Sequence, residues 1–191
     1  MDKNSYIGFV VSPRTLEIAL PPDGQTFKFY HDQIGLASLL KKLPPRDQCV
    51  IVFEATGGAE CVVVAELLQA GCRLAWVKPA EVRHFATGMG LKATTDSVDA
   101  AVLFQFGSMR ELPCLSMGPG PLDELQQLVQ RRQQLLELHA QETVRLGQTL
   151  AQPLRKSMGV MLKLLEDQVQ KIESEIARMI HNPDGSKQKS E

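Results

Sequence analysis

The chain has 191 residues, 43% of them hydrophobic, with Lys+Arg 21 set against Asp+Glu 22. That length is enough for one sizeable core plus an appendage, or for two small domains. The hydrophobic share is that of a globular chain rather than a disordered one. A formal net charge of −1 argues against nucleic-acid binding driven by overall charge, while leaving room for a local basic surface.

Cys49, Cys61, Cys72 and Cys114 form no C-x-x-C pair. Three of them lie in or beside apolar runs, where cysteine acts as a small buried hydrophobe. Neither a zinc site nor a disulfide framework is expected. The opening MDKNSY has no apolar signal core, and no stretch nears the length that spans a bilayer. A cytoplasmic protein without membrane contact is expected.

The first hundred residues alternate strand-like and helix-like segments. SYIGFVVS is a short apolar run of the buried-strand kind. TLEIAL follows a Ser-Pro-Arg turn and closes at Pro21-Pro22-Asp23-Gly24, and QTFKFY alternates again. Three strands joined by tight turns predict an antiparallel meander. IGLASLLKKL then takes helical spacing and stops at Pro44-Pro45. CVIVF reads as a buried strand, AECVVVAELLQAG as a helix ended by Gly71, and CRLAWV as a further strand. Strand, helix, strand at short intervals is a βαβ unit with parallel pairing. A meander followed by βαβ units is the strand order of the RNase H-like fold, and other α/β folds share it.

Beyond Pro121 the chain is rich in Leu, Gln, Glu and Arg, with no proline until Pro153 and Gly147 as a weak point. Pro153 is expected to break this helix, and a second one to run to about Ile180. Leu165, Val169, Ile172, Ile176 and Met179 recur at spacings of four and three, the seam of a coiled coil. Two long antiparallel helices, or a dimerising pair, follow. The polar tail HNPDGSKQKSE is expected to be disordered.

Three acids stand out. Glu54 follows an apolar strand, and Asp96 and Asp99 open a helix, TDSVDAAVLFQF, where their spacing puts them on one face. Carboxylates at a strand end and a helix start can converge on Mg²⁺, which takes oxygen ligands. Two such ions about 4 Å apart can activate and stabilise the oxygens of a phosphoryl transfer. The other reading is structural. Acids near a helix N-terminus are favoured by the dipole and by capping, and Glu54-Ala55-Thr56-Gly57-Gly58 also serves as a plain strand-to-helix turn.

The order IGFVVSPRTLEIAL, VIVFEATGG, LAWVKPAEVRHFATGMG, KATTDSVDAAVL resembles the DEDD transposases of bacterial insertion sequences. That family includes pilin-gene inverting recombinases and RNA-guided bridge recombinases. The likeness continues through VQRRQQLLELHAQETVRL and LLEDQVQKIESEIARMI, covering roughly residues 5 to 181. It implies a RuvC-like, RNase H-like mixed sheet with flanking helices over 1–118, a helical coiled-coil region over 119–181, and a disordered tail over 182–191. It also implies four acidic residues acting on DNA with Mg²⁺, and a downstream domain that supplies a catalytic serine.

The family's opening motif is G-x-D-x-S, whereas this chain reads Gly8-Phe9-Val10-Val11-Ser12. Val10 therefore stands at the first acidic position, leaving Glu54, Asp96 and Asp99 as catalytic and metal-binding candidates. Thr94, Ala59 and Lys78 replace a lysine, an aromatic and an asparagine of the pattern. Lys78, Arg83, His84 and Lys92, with Arg131, Arg132 and Arg145 of the first long helix, are candidates for nucleic-acid contact, since phosphates dominate such affinity, and a solvated face with neighbouring acids is the other reading. His84 is expected to be a partly buried structural residue.

Three functions are carried forward. The first is a truncated or degenerate transposase that binds DNA, or a structured guide RNA, without strand transfer of its own. The second is a regulatory or dimerisation subunit, a homo-oligomer or a partner of a full-length transposase. The third is a Mg²⁺-dependent nuclease that uses three carboxylates.

Overall fold

The computed structural model describes residues 5–54, 60–91 and 95–182. In chain order the elements are β1 (Ser5–Val11), β2 (Thr15–Leu20), β3 (Gln25–Tyr30), α1 (Gln33–Lys42), β4 (Cys49–Glu54) and α2 (Cys61–Gln69). They continue with β5 (Arg73–Val77), α3 (Pro79–Gly88), α4 (Asp96–Ser108), α5 (Pro119–Gln148) and α6 (Gln152–His181). Two compact units divide the chain, Met1–Ser116 and Met117–Glu191.

The first unit is an α/β domain on a five-stranded mixed sheet of order β3-β2-β1-β4-β5. The tight turns after Val11 and Leu20 fold the first three strands into an antiparallel meander, with Phe9 opposite Ile18 and Ile18 opposite Phe27. The longer crossovers then place β4 parallel to β1 and β5 parallel to β4. This is the mixed sheet that the sequence predicts. Helix α1 starts where Asp32 Oδ1 accepts a 2.7 Å hydrogen bond from the Gly35 amide, a side-chain cap for a donor that the helix itself leaves unpaired.

Side-chain alternation along the strands makes two apolar faces. Tyr6, Val50, Val52, Ala75 and Val77 form one core with Val82 and Ala86 of α3 and Val102, Leu103 and Phe106 of α4. Ile7, Phe9, Ile51 and Phe53 point the other way and are buried too. Each such side chain contributes roughly 1.5–3 kcal/mol by leaving water. Helix α4 lies close against β1 because Gly8 has no side chain. A Cβ there would sit 1.8 Å from the Ala100 carbonyl oxygen.

The sheet's two edges differ. Beside β5, Cys114 bridges Ala75 and the Leu115 amide donates to the Leu74 carbonyl at 2.7 Å. Among the described residues no strand pairs with the outer edge of β3.

One sequence expectation needs correction. Pro153 opens α6 rather than interrupting the chain before it, as Pro79 opens α3, a helix to which the sequence pattern assigns no element. A proline costs nothing in a first turn, where its missing N–H would have no partner. The break between the long helices falls instead at Thr149–Ala151.

In the second unit α5 and α6 pack against each other. Leu125 and Leu135 of α5 and Leu165, Ile176, Met179 and Ile180 of α6 are buried, with Val169 and Ile172 half-buried. Arg132 Nε meets Glu173 Oε1 at 2.7 Å and His139 Nε2 meets Glu166 Oε1 at 3.2 Å. At the turn Arg155 Nη1 donates to the carbonyls of Leu146 and Thr149, each at 2.8 Å, covering acceptors that the end of α5 leaves open. The expected tail from 183 onward lies outside the described residues.

Candidate active site

A row of side chains crosses the α4 face of the sheet at the C-terminal end of β1. Val10 stands opposite Glu17 in the β1–β2 ladder, and Glu17 opposite Lys28 in the β2–β3 ladder. On the other side of β1, strand β4 ends at Glu54, one residue beyond the Phe9–Phe53 pair. The first turn of α4 brings Asp96 and Asp99 over this row. Its start is set by Thr95, whose hydroxyl accepts from the Val98 amide at 3.3 Å.

Val10, Ser12, Glu54, Glu60, Asp96 and Asp99 all line one cavity of about 240 Å³. The structure thus brings the three sequence-picked acids together beside Val10. Burial pushes the Glu54 carboxyl up from its usual value, and the charge of Asp99 adds to it, with Arg83 opposing. Asp99 is pushed up by burial and then by Asp96. These shifts share one origin: like charges are held together away from water.

Polar contacts fix the α4 end of the cavity. Ser12 donates its hydroxyl to Asp96 Oδ2, and the Ser12 carbonyl accepts from His31 Nδ1 at 2.7 Å. Ser97 donates to Glu17 Oε2, and Lys28 Nζ meets Glu17 Oε1 at 2.8 Å. Burial alone would raise the Glu17 carboxyl, but Lys28 and Ser97 together hold it below its usual value.

Glu17, Lys28, Ser12 and Glu60 were not evident as site residues from the sequence. Glu17 lies in the apolar run TLEIAL, and only the strand register sets it beside Val10. Glu60 is 1% exposed at the start of α2. A carboxylate directly before the apolar run CVVVAELL was its one visible signal.

The oxygen donors are of the kind Mg²⁺ takes. Among the described residues, however, no three His, Cys, Asp or Glu side chains are gathered closely enough to hold a metal ion. At the centre of the row Val10 offers no oxygen.

The basic candidates scatter. Lys78 caps α3 at an exposed position, and the exposed Arg83 lies within electrostatic reach of Glu54. Lys92 falls outside the described residues. Arg131 is exposed on α5 and donates to Gln134 at 3.1 Å, whereas Arg132 is engaged by Glu173. His84 is exposed on α3, not partly buried as expected, because the buried stripe of that short helix is Val82 and Ala86. Burial raises the thiols of Cys49 and Cys61 to about 11 and about 12, so both stay protonated and unreactive.

Residues 22–153 match the family model of IS110-type DEDD transposases, described as Transposase. The chain belongs to this transposase family. No curated protein matches it. The matched span of the transposase includes Glu54, Asp96 and Asp99 and begins beyond β1 and β2, the strands that carry Val10 and Glu17. No described helix of this chain is long and apolar enough to cross a membrane.

Proposed function

We propose that this transposase acts in DNA transposition by binding nucleic acid, and that it does not carry out strand transfer alone. One observation carries the reading: Val10 lines the same cavity as Glu54, Asp96 and Asp99. The position that would bridge these carboxylates is thereby apolar. Strand transfer needs the attacking and leaving oxygens to be activated and their charge stabilised together, and Glu54, Asp96 and Asp99 around a valine leave that arrangement incomplete, the cavity's further carboxylate, Glu60, being buried at the start of α2 rather than at the position of Val10. Glu17 is no substitute, because Lys28 and Ser97 already engage both of its oxygens. Nucleic-acid binding makes no such demand, since it draws on cations such as Lys78, Arg83 and Arg131 that can meet phosphates.

Cleavage and strand transfer on duplex DNA with Mg²⁺ or Mn²⁺, together with a mobility shift on duplex DNA and structured RNA, test both halves. Binding without turnover is expected of the native chain. In Val10→Asp, Mn²⁺ affinity should rise, read by the paramagnetic signal of the bound ion. Turnover by the native chain that is lost in Glu54→Ala would overturn the proposal in favour of a three-carboxylate nuclease.

A second reading has its own support. Leu138, Val144, Leu154, Val160 and Leu164 are exposed in the turn half of the α5–α6 hairpin, and Leu150 at the turn is 92% exposed. Apolar surface of this kind marks an assembly face, on which a second copy or a full-length transposase would pair. Mixing the two chains and measuring mass by light scattering tests it. Failure to form either a homomer or a heteromer counts against it.

A further inference from the structure

We propose that the end of β3 seats one unpaired base of a single-stranded nucleic acid, stacked on Tyr30, with Arg14 meeting the adjacent phosphate. This rests on the nucleic-acid reading above and gives it a location outside the basic residues named so far.

Tyr30 is 75% exposed, and no other aromatic side chain among the described residues is exposed. A tyrosine ring offers an apolar face with a polar tip, which suits it to a contact surface that is wet on one side. Its backbone is held on three sides. Tyr30 is paired with Thr15, and the next residue's amide donates to the Arg14 carbonyl at 3.0 Å. Helix α1 comes so near that a Cβ on Gly35 would lie 1.9 Å from the Tyr30 carbonyl oxygen. A ring presented on a fixed backbone loses little freedom when a base settles on it.

The surroundings are basic. Arg14 is exposed and enters no ion pair among the described residues. His31 is oriented by its bond to the Ser12 carbonyl, which commits the Nδ1 proton and leaves Nε2 as an acceptor for a base amino group. Lys28 stands two residues before Tyr30 on the same face of the strand. Its side chain is 64% exposed even while it pairs with Glu17, and it feels the charge of Asp96. Because Glu17 offsets Lys28, Arg14 is the phosphate contact. Ser12, which His31 touches, lines the acidic cavity, so a strand seated on Tyr30 would pass its lip.

A single strand fits and a duplex does not, because a base inside a duplex already has both faces stacked. Neither stacking nor phosphate contact distinguishes ribose from deoxyribose, so both sugars belong in the test.

The full chain would be titrated, by fluorescence anisotropy over a salt series, with labelled single-stranded DNA and RNA of one sequence and with the matching DNA duplex. Tyr30→Ala should weaken single-strand binding about tenfold, with Tyr30→Phe restoring it and the duplex affinity unchanged. Arg14→Gln should lower the slope of log affinity against log salt by about 0.7. The tighter of the two single strands identifies the sugar. Single-strand binding that neither Tyr30→Ala nor Arg14→Gln alters overturns this site and leaves the nucleic-acid reading standing. A native chain that binds none of the probes at low salt overturns both. If Tyr30→Ala spares binding but splits an oligomer in light scattering, with the exposed Ile34 nearby, the patch is a protein contact and the site is overturned. Should Tyr30→Ala fail to fold, Arg14→Gln decides alone.

Discussion

On the meander side of Val10, Glu17 is buried between Lys28 and Ser97, each of which takes one of its oxygens. On the crossover side, Glu54 sits at the end of β4 with Asp99 as its strongest charged neighbour and Arg83 as a weaker counterweight. The two glutamates flank the same valine on the same face of one sheet, yet their pKa values move in opposite directions. Burial costs a carboxylate its hydration in both places. What differs is the neighbour: a cation and a hydroxyl on one side, a second anion on the other. Like charges are thus held together on one flank only, while on the other the buried carboxylate is neutralised by its partners.

The strongest way to break this contrast is to move the helix that both flanks share. Gly8→Ala should push α4 off β1 and destabilise the first unit by about 3 kcal/mol, read as a lower urea midpoint, and should disturb both carboxylates together. A normal midpoint would mean that α4 is free to shift and that the cavity geometry is soft.

Next come substitutions confined to the meander flank. Ser97→Ala removes a hydrogen bond to a buried charge and should cost about 1–2 kcal/mol. Lys28→Met should shift stability in the same direction. In both, acid unfolding should begin at higher pH. The sign follows from Glu17, whose carboxyl is held below its usual value of 4.5 when folded. Its stabilising share is present above 4.5 and is lost as pH falls through the lower folded value.

The crossover flank should behave in reverse. Glu54 and Asp99 are raised when folded, so they cost nothing below their usual values and destabilise increasingly as pH climbs through the raised ones. Glu54→Gln should therefore gain a few tenths of a kcal/mol at neutral pH, after allowance for its partial exposure, and flatten the decline above pH 4.5. Loss of stability at neutral pH in Glu54→Gln would show that Arg83 outweighs Asp99. The smallest effect belongs to Tyr30→Ala, which should leave the unfolding free energy, read from urea titration, unchanged to within about 0.5 kcal/mol, since the ring is already in water.

The sequence and the structure agree where a single segment settles the matter. CVIVFE is apolar over a strand's length, TDSVDAAVLFQF has helical spacing behind a threonine cap, and Glu54, Asp96 and Asp99 line one cavity. They part where the answer lies between segments. Glu17 looks like a stray charge in TLEIAL until two tight turns set it opposite Val10 and Lys28. Helix α3 was hidden because only Val82 and Ala86 are buried on it and because Pro79 suggests an interruption. Arg132 and Arg131 are adjacent in the chain and alike in type, yet only the packing of α5 on α6 gives Arg132 its partner Glu173.

The outer edge of β3 offers the backbone groups of Gln25–Tyr30 to any strand that drifts alongside. Natural sheets discourage such growth by placing a charge in the middle of an open edge, and Lys28 occupies that place. Beside β5 the backbone is already engaged by the segment that carries Cys114 and Leu115. Lys28 thus sets a charge on the edge strand as well as neutralising Glu17. Replacing it with methionine would leave an uncharged strand with Phe27, Phe29 and Tyr30 along it, and concentration rather than denaturant would then set the limit on how long the protein stays in solution.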